Sequence, residues 1–153
     1  MRNPYQRKAA SKPQHTAYNT QDIYKQFIEH IVAQASIVAL FNQGWALCAT
    51  PTGQHAFAIW QHKNLAKLLI KDNWHHYQTQ HISLKDFVNQ VIPFLRKEST
   101  PVSLNLTPDG QNILVAPEKL LLDIKKYLYQ LYRQKPELFK DLTLPLPRSI
   151  RLN

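Results

Sequence analysis

The sequence predicts an α+β fold in which about four helices pack on a mostly antiparallel sheet of about five strands. Three short β-branched or aromatic runs follow one another closely between residues 37 and 60, and Gly-containing turns separate them. Two further short runs flank a Pro-Asp-Gly turn near residue 109. Segments with helical spacing lie before, between and after these runs. Grouped strands and helices that do not alternate regularly are typical of α+β proteins.

The first helix and the first three strands follow directly from periodicity. Apolar residues from Ile23 to Ile31 have helical spacing, and Thr20 before them is a suitable N-cap, so we expect the helix to begin there. The next three runs are separated by Asn42-Gln43-Gly44 and Pro51-Thr52-Gly53, which are typical turns. They predict a three-stranded meander with strands at Ile37 to Phe41, Trp45 to Ala49 and His55 to Trp60.

Two helices are predicted in the middle of the chain. Asn64 is a suitable cap for an amphipathic helix with leucines on one side, which should end near Asn73. Residues 74–81 are polar and aromatic and are expected to be extended or irregular. Ser83-Leu84-Lys85-Asp86 resembles a capping box and opens a second helix, which Pro93 should kink or interrupt.

The last third of the chain predicts a hairpin and a long helix. Thr107-Pro108-Asp109-Gly110 is a strong turn signal between an alternating run and a second apolar run. Pro117 with Glu118 behind it is typical of a helix start, and apolar spacing continues to Leu131. Residues 136–153 form a Pro-containing C-terminal tail, for which a docking strap and a frayed end are both open.

The net charge of +9 is unevenly distributed. Residues 1–19 contain no acid, whereas residues 20–135, the predicted single domain, are only mildly basic. Such an arm can contact phosphate groups, but its composition favours a disordered, solubilising segment. The possible phosphate-contacting residues are Arg2, Arg7, Lys8 and Lys12.

No catalytic, cofactor-binding or metal-binding pattern is present. Three glycines leave no room for a phosphate-binding loop, and the seven histidines lack the spacing of converging ligands. The single Cys48 lies in an apolar run and is expected to be an inert, buried thiol in a reducing compartment. No segment resembles a signal peptide or a membrane span, so we expect a cytoplasmic protein with no enzymatic activity, no cofactor and no membrane partner.

Aromatic residues at the ends of elements give the one candidate interaction surface. Trp60, His62, Trp74 and His76 flank one predicted helix and could form a surface cluster. Tryptophans anchor interfaces and stack on bases. The competing interpretation, which large aromatics favour, is that the tryptophans belong to the core under the sheet.

A family resemblance depends on four segments, Gly44 to Ala49, Ala58 to His62, Ile82 to Phe87 and Thr107 to Glu118. Together they resemble one uncharacterised bacterial family, the domain of unknown function 2750. The similarity covers about residues 20–130. The resemblance supplies no catalytic residues that could be assigned to positions of this chain. The layout also resembles that of the SseB N-terminal domain, at the level of the fold.

Two functional hypotheses follow, from different classes. The leading one is a non-enzymatic protein-binding or adaptor domain, because chemistry-bearing motifs are absent and aromatic residues lie at element ends. The alternative is a nucleic-acid-associated accessory protein that uses the basic arm, and this predicts affinity that falls steeply with salt. A toxin-neutralising immunity protein is a third hypothesis that the sequence neither favours nor excludes.

Overall fold

The computed structural model describes residues 5–152, and it describes side chains from residue 20 onward. The fold is α+β, as predicted. No helix in this part of the chain is long and apolar enough to cross a membrane. The helices are α1 (Tyr5–Gln34), α2 (Lys63–Lys67), α3 (Leu84–Asp86), α4 (Ile92–Lys97) and α5 (Pro117–Gln134). The strands are β1 (Ser36–Phe41), β2 (Leu47–Ala49), β3 (His55–Ile59), β4 (Gln78–Ser83), β5 (Val102–Leu104) and β6 (Ile113–Val115).

The strands form two sheets, which two isolated β-bridges connect. β1 pairs with β4, and the other four strands form a sheet in the order β2-β3-β5-β6. The pair β3 and β5 is parallel and the other pairs are antiparallel, so the predicted mostly antiparallel arrangement is confirmed. Val38 and Trp60 exchange two backbone hydrogen bonds of 2.9 and 2.8 Å, which connect β1 to the end of β3.

The first strand does not pair with the second along its length, as a simple meander would require. It pairs throughout with β4, from Ser36 opposite Ser83 to Phe41 opposite Gln78. Contact between β1 and β2 is limited to a bridge between Phe41 and Trp45 and a hydrogen bond from Ala46. Residues 78–83 had little strand signal because only Ile82 among them is buried. A partner strand therefore determines their conformation, and the strand count rises from five to six.

The helix boundaries differ from the predicted ones in two places. α1 continues through Thr20, so that residue does not begin the helix. α2 is short and begins after His62 rather than at a cap by Asn64, and residues Asp72–Trp74 form a separate 3₁₀ turn. The cap at Ser83 is confirmed, since its Oγ accepts a 3.0 Å hydrogen bond from the Asp86 backbone N–H.

The break predicted at Pro93 takes the form of a π-helical turn. Residues Phe87–Val91 lie between α3 and α4, and the Ile92 N–H bonds to the Phe87 carbonyl, five residues earlier. Proline has no N–H, and its ring clashes with a carbonyl one turn before it, so an unbroken α-helix is strained there. A wider turn relieves this conflict. It also sets the direction in which the residues of α4 project.

Strand β3 is buried on both faces and separates two apolar clusters. Phe57 and Ile59 point to the larger cluster, which helices α1, α3 and α5 cover. Ala56 and Ala58 point to the smaller one, where Trp60 packs with residues of α2. Cys48 belongs to this second cluster and is buried, as predicted. Small residues on this face leave room for the indole.

The C-terminal tail is a packed part of the fold. Phe139, Leu144 and Ile150 are buried in the larger cluster. The Lys125 ammonium donates a 2.7 Å hydrogen bond to the Ile150 carbonyl, and Lys85 donates one of 2.9 Å to the Leu142 carbonyl. The sequence left a docking strap and a frayed end open for this tail, and in the structure the tail is docked. Residues 1–4 of the predicted N-terminal arm lie outside the described residues.

Candidate functional site

The sequence left two interpretations open for Trp60, His62, Trp74 and His76, a surface cluster and tryptophans in the core, and the structure places Trp60 in the core. Trp60 is fully buried, and its indole N–H donates a 2.8 Å hydrogen bond to the Leu106 carbonyl. Trp74 is half-buried and packs edge-on against Trp60, with ring centroids 6.4 Å apart. Trp60 therefore follows the core interpretation that large aromatics favour, and it fills the smaller cluster beside α2.

The two histidines of that cluster are exposed but have other neighbours. His62 lies against His30 of α1, with ring centroids 4.3 Å apart, and burial followed by repulsion from His62 lowers the pKa of His30. His76 lies against His75, at 3.8 Å. Among the described residues, no group of three or more His, Cys, Asp or Glu side chains is placed to hold a metal ion.

The side chains of the possible phosphate-contacting arm lie outside the described residues. Arg2 lies outside the described residues. The backbone positions of Arg7, Lys8 and Lys12 fall in the first half of α1, and their side chains lie outside the described part of the chain. A role for these four residues stays a prediction.

A groove with a volume of about 720 Å³ runs between β2 and α4. We call it the edge groove. It lies on the face of the sheet that the larger apolar cluster occupies, but beyond the helices that cover this cluster. The side chains that line it are Trp45, Leu47, Gln54, His55, Phe57, Gln90, Val91, Phe94, Leu95, Glu98 and Thr100.

Three large apolar side chains that line the edge groove are exposed. Phe94 is 61% exposed, Leu47 is 45% exposed and Trp45 is 37% exposed. Trp45 stands edge-on between two rings, with centroids 4.8 Å from Phe41 and 6.0 Å from Phe57. Aromatic side chains held in this way keep one orientation, so they can receive a ligand at low entropic cost.

The fold holds the two walls of the edge groove at a fixed distance. Gln54, in the turn between β2 and β3, donates a 2.6 Å side-chain hydrogen bond to the Ser99 carbonyl after α4. The Phe57 N–H bonds to the Pro101 carbonyl at 2.9 Å. The π-helical turn places Gln90 and Val91 on the opposite wall, beside Phe94. The groove is therefore a preformed feature.

Strand β2 has an open edge beside this groove. Backbone bonds from Ala58 to Ala46 and from Thr50 to Gln54 identify the hydrogen-bonded pairs of the ladder between β2 and β3. Leu47 and Ala49 lie between those pairs, so their N–H and C=O groups point away from β3. No strand pairs with this side of Leu47–Ala49 in the described part of the chain. Unpaired strand edges bind other extended chains.

Sequence reasoning missed the edge groove, although one signal for it was present. On the segment that begins at Leu84, Phe87, Val88, Ile92 and Leu95 are buried. Phe94 is an aromatic residue outside that set. An off-pattern aromatic on a helix is a signal for a contact beyond the core. The pairing of this residue with Trp45 and Leu47, some fifty positions earlier, required the tertiary structure.

Comparison with known proteins places the chain in one family. The family described as "Protein of unknown function (DUF2750)" matches residues 24–124. The match covers α1 from Tyr24, all six strands and the first turns of α5, and so includes every residue of the edge groove. No curated protein and no solved structure matches the chain.

Proposed function

Because the chain belongs to the DUF2750 family, whose function is unknown, its function has to be argued from its surface, and we propose that it is a non-enzymatic protein-binding domain. Its ligand is an extended, largely apolar segment of a partner protein. The observation that carries the proposal is the open edge of β2 lying directly beside the exposed apolar lining of the edge groove.

The geometry suits a peptide that adds a strand to the sheet. Leu47 and Ala49 together offer two N–H donors and two C=O acceptors along one line, which is the pattern that an added strand satisfies. Alternate side chains of that strand project onto the groove face of the sheet. Backbone hydrogen bonds then supply affinity, and the aromatic lining selects apolar side chains at alternate positions.

The composition of the groove supports an uncharged apolar ligand over a charged one. Its centre is formed by Trp45, Leu47 and Phe94, and its polar residues are mostly amides and hydroxyls at the rim. Glu98 is the only acidic side chain of the lining, and no lysine or arginine lines it. Depletion of charge at the centre with a polar rim is typical of protein interfaces.

The test is selection of short random peptides displayed on phage, with the full chain as bait. We expect enrichment of peptides with apolar residues at alternate positions. Ala49→Pro should abolish their binding, because proline removes an outward N–H from the edge without removing a bond to β3. Ala49→Ser is the matched control, since it keeps that N–H. Phe94→Asp should also abolish binding, whereas Leu68→Asp, an exposed apolar position outside the groove, should not.

Two outcomes would overturn this proposal. The first is enrichment of peptides whose binding is unchanged by both Ala49→Pro and Phe94→Asp. The second is a dimer, seen by sedimentation, that Ala49→Pro and Phe94→Asp both dissociate, since a second copy of the chain would then be the occupant of the edge.

A second candidate, a nucleic-acid-associated protein, is favoured by the outer face of α5. A shallow recess of about 570 Å³ there is lined by Lys126, Tyr129, Gln130, Tyr132 and Arg133. Cations beside exposed aromatic rings can bind phosphate and stack on bases. The test is anisotropy with a labelled single-stranded oligonucleotide. Affinity should fall by more than about tenfold between about 50 and about 200 mM salt, and Tyr129→Ala should weaken it. Binding that salt does not affect would count against this candidate.

A further inference from the structure

A second recess, with a volume of about 640 Å³, lies on another side of α4 from the edge groove. We call it the basic recess. Three structural elements form it: the π-helical turn with α4, the first turn of α5, and the docked C-terminal tail. Its lining residues are Val88, Asn89, Pro93, Arg96, Lys97, Glu118, Ser149 and Arg151.

Three cationic side chains converge on the basic recess from two separate parts of the chain. Arg96 and Lys97 come from the last turn of α4, and Arg151 comes from the tail. Glu118 is the single acidic side chain of the lining. The described residues form one ion pair, between Lys119 and Asp123. None of the three cations of the basic recess therefore pairs with an acidic side chain of the described residues.

Arg96 has hydrogen-bond donors that the described part of the chain does not use. It is half-buried, and no hydrogen bond or ion pair within the described part of the chain uses its guanidinium. A guanidinium carries five N–H donors, and since none of those on Arg96 bonds to the described part of the protein, they are available to a ligand. Its planar geometry matches the two oxygens of a phosphate or carboxylate group.

The start of α5 brings a helix N-terminus and one carboxylate to the basic recess. α5 has 18 residues, and its N-cap position is Ala116, which has no side chain able to cap the free N–H groups of the first turn. Glu118, in that turn, lines the recess. The positive end of a helix favours an anion, whereas the Glu118 carboxylate opposes one, so the three cations supply the net positive charge of the recess.

From these observations we propose that the basic recess binds a small organic phosphate, with the phosphate group held by Arg96, Lys97 and Arg151. The volume is in the range of small-molecule sites and exceeds what inorganic phosphate alone would fill. Asn89 and Ser149 supply uncharged hydrogen-bonding groups for the rest of such a ligand. This site does not depend on the edge groove, and it assigns the chain a small-molecule ligand.

The test uses the full chain and isothermal titration calorimetry with adenosine monophosphate and with inorganic phosphate as probes. Arg96→Gln should weaken binding of adenosine monophosphate by about tenfold or more, because a charge-assisted hydrogen-bonded contact is lost. Lys71→Gln, at an exposed position that lines neither the basic recess nor the recess on α5, also removes one positive charge and should change binding by less than about twofold. Arg96→Lys keeps the charge but not the bidentate contact, so it should restore part of the affinity.

Glu118→Gln should have the opposite effect on binding to that of Arg96→Gln. Removing the one carboxylate of the basic recess should strengthen binding of the anion severalfold. Amide chemical shifts of Asn89, Lys97 and Ser149 in the unmutated chain should move on titration, which keeps the proposal testable if Arg96→Gln does not fold. Equal weakening by Arg96→Gln and Lys71→Gln would overturn the proposal. So would binding of a single-stranded oligonucleotide, but of neither probe, at the basic recess.

Discussion

The Tyr24 hydroxyl donates a 2.6 Å hydrogen bond to Oδ2 of Asp123, across 99 positions of sequence. The contact joins α1 to α5 on the side of the larger apolar cluster. Lys119, one turn earlier in α5, pairs with the same carboxylate oxygen at 3.0 Å, so Asp123 connects two other side chains. Two predictions depend on this contact.

Removing the hydroxyl should destabilise the fold. We expect Tyr24→Phe to lower the free energy of unfolding by about 1–2 kcal/mol, since the lost hydrogen bond has a charged acceptor. Urea denaturation measures the change. Tyr129→Phe removes a hydroxyl from an exposed tyrosine and should change stability by less than about 0.5 kcal/mol. Equal effects of the two variants would show that the Tyr24 contact contributes nothing.

The same contact predicts a loss of stability in alkali. Burial, then the hydrogen bond to Asp123 and its negative charge, raise the pKa of Tyr24 above its ordinary value of 10.0. Above pH 10 the unfolded chain loses this proton while the folded chain keeps it, so stability falls as pH rises. The difference in melting temperature between the unmutated chain and Tyr24→Phe should therefore shrink as the pH is raised above 10. A difference that does not vary with pH would contradict this.

The pair of His30 and His62 predicts a loss of stability in acid. Burial and the neighbouring His62 lower the pKa of His30 from its ordinary value of 6.5. Between that lowered value and 6.5 the unfolded chain binds more protons, so the His30 contribution is fully present above pH 6.5 and declines as pH falls. His30→Gln should flatten this part of the stability profile. In NMR titration, His62→Gln should raise the pKa of His30 toward 6.5, and an unchanged value would exclude repulsion as a cause.

The cap at Ser83 determines where the helix after β4 begins. Ser83→Ala removes the acceptor for the Asp86 N–H and should cost about 1 kcal/mol in unfolding free energy. Ser83→Asp keeps a side-chain acceptor at the same place, so it should retain most of the stability. Both are measured by urea denaturation. A loss with Asp as large as that with Ala would mean that the serine acts by another contact.

The docked tail should be essential to the stability of the domain. Ile150 is buried in the larger cluster, and Ile150→Ala should lower the free energy of unfolding by about 2–4 kcal/mol. Leu152→Ala, two residues later on an exposed side chain, should change it by less than about 0.5 kcal/mol. A small effect of Ile150→Ala would indicate that the tail detaches in solution.

The elements with strong local signals were the ones that the sequence predicted. Pro117 and Glu118 open α5 as expected. The turn before β6 forms as expected, with Gly110 at φ +90 and its N–H bonded to Thr107. In each case the deciding interactions lie within a few residues, so a local pattern is enough to specify them.

The candidate sites were not predictable in the same way. The edge groove needs Phe94 of α4 beside Leu47 of β2, and the basic recess needs Arg96 beside Arg151 of the tail. Local sequence spacing predicts neither pairing, because the paired residues are far apart in the chain. The same holds for Trp60, whose surroundings in the core come from residues of α2 and from Leu106.

The sequence by itself determined the fold class, the Ser83 cap, the turn at Thr107–Gly110 and the buried state of Cys48, because short-range hydrogen bonds and burial periodicity decide them. The tertiary structure alone decided the pairing of β1 with β4, the docking of the tail and the assembly of the edge groove and the basic recess. These features depend on contacts between distant residues. Packing of the whole chain, rather than any local preference, selects such contacts.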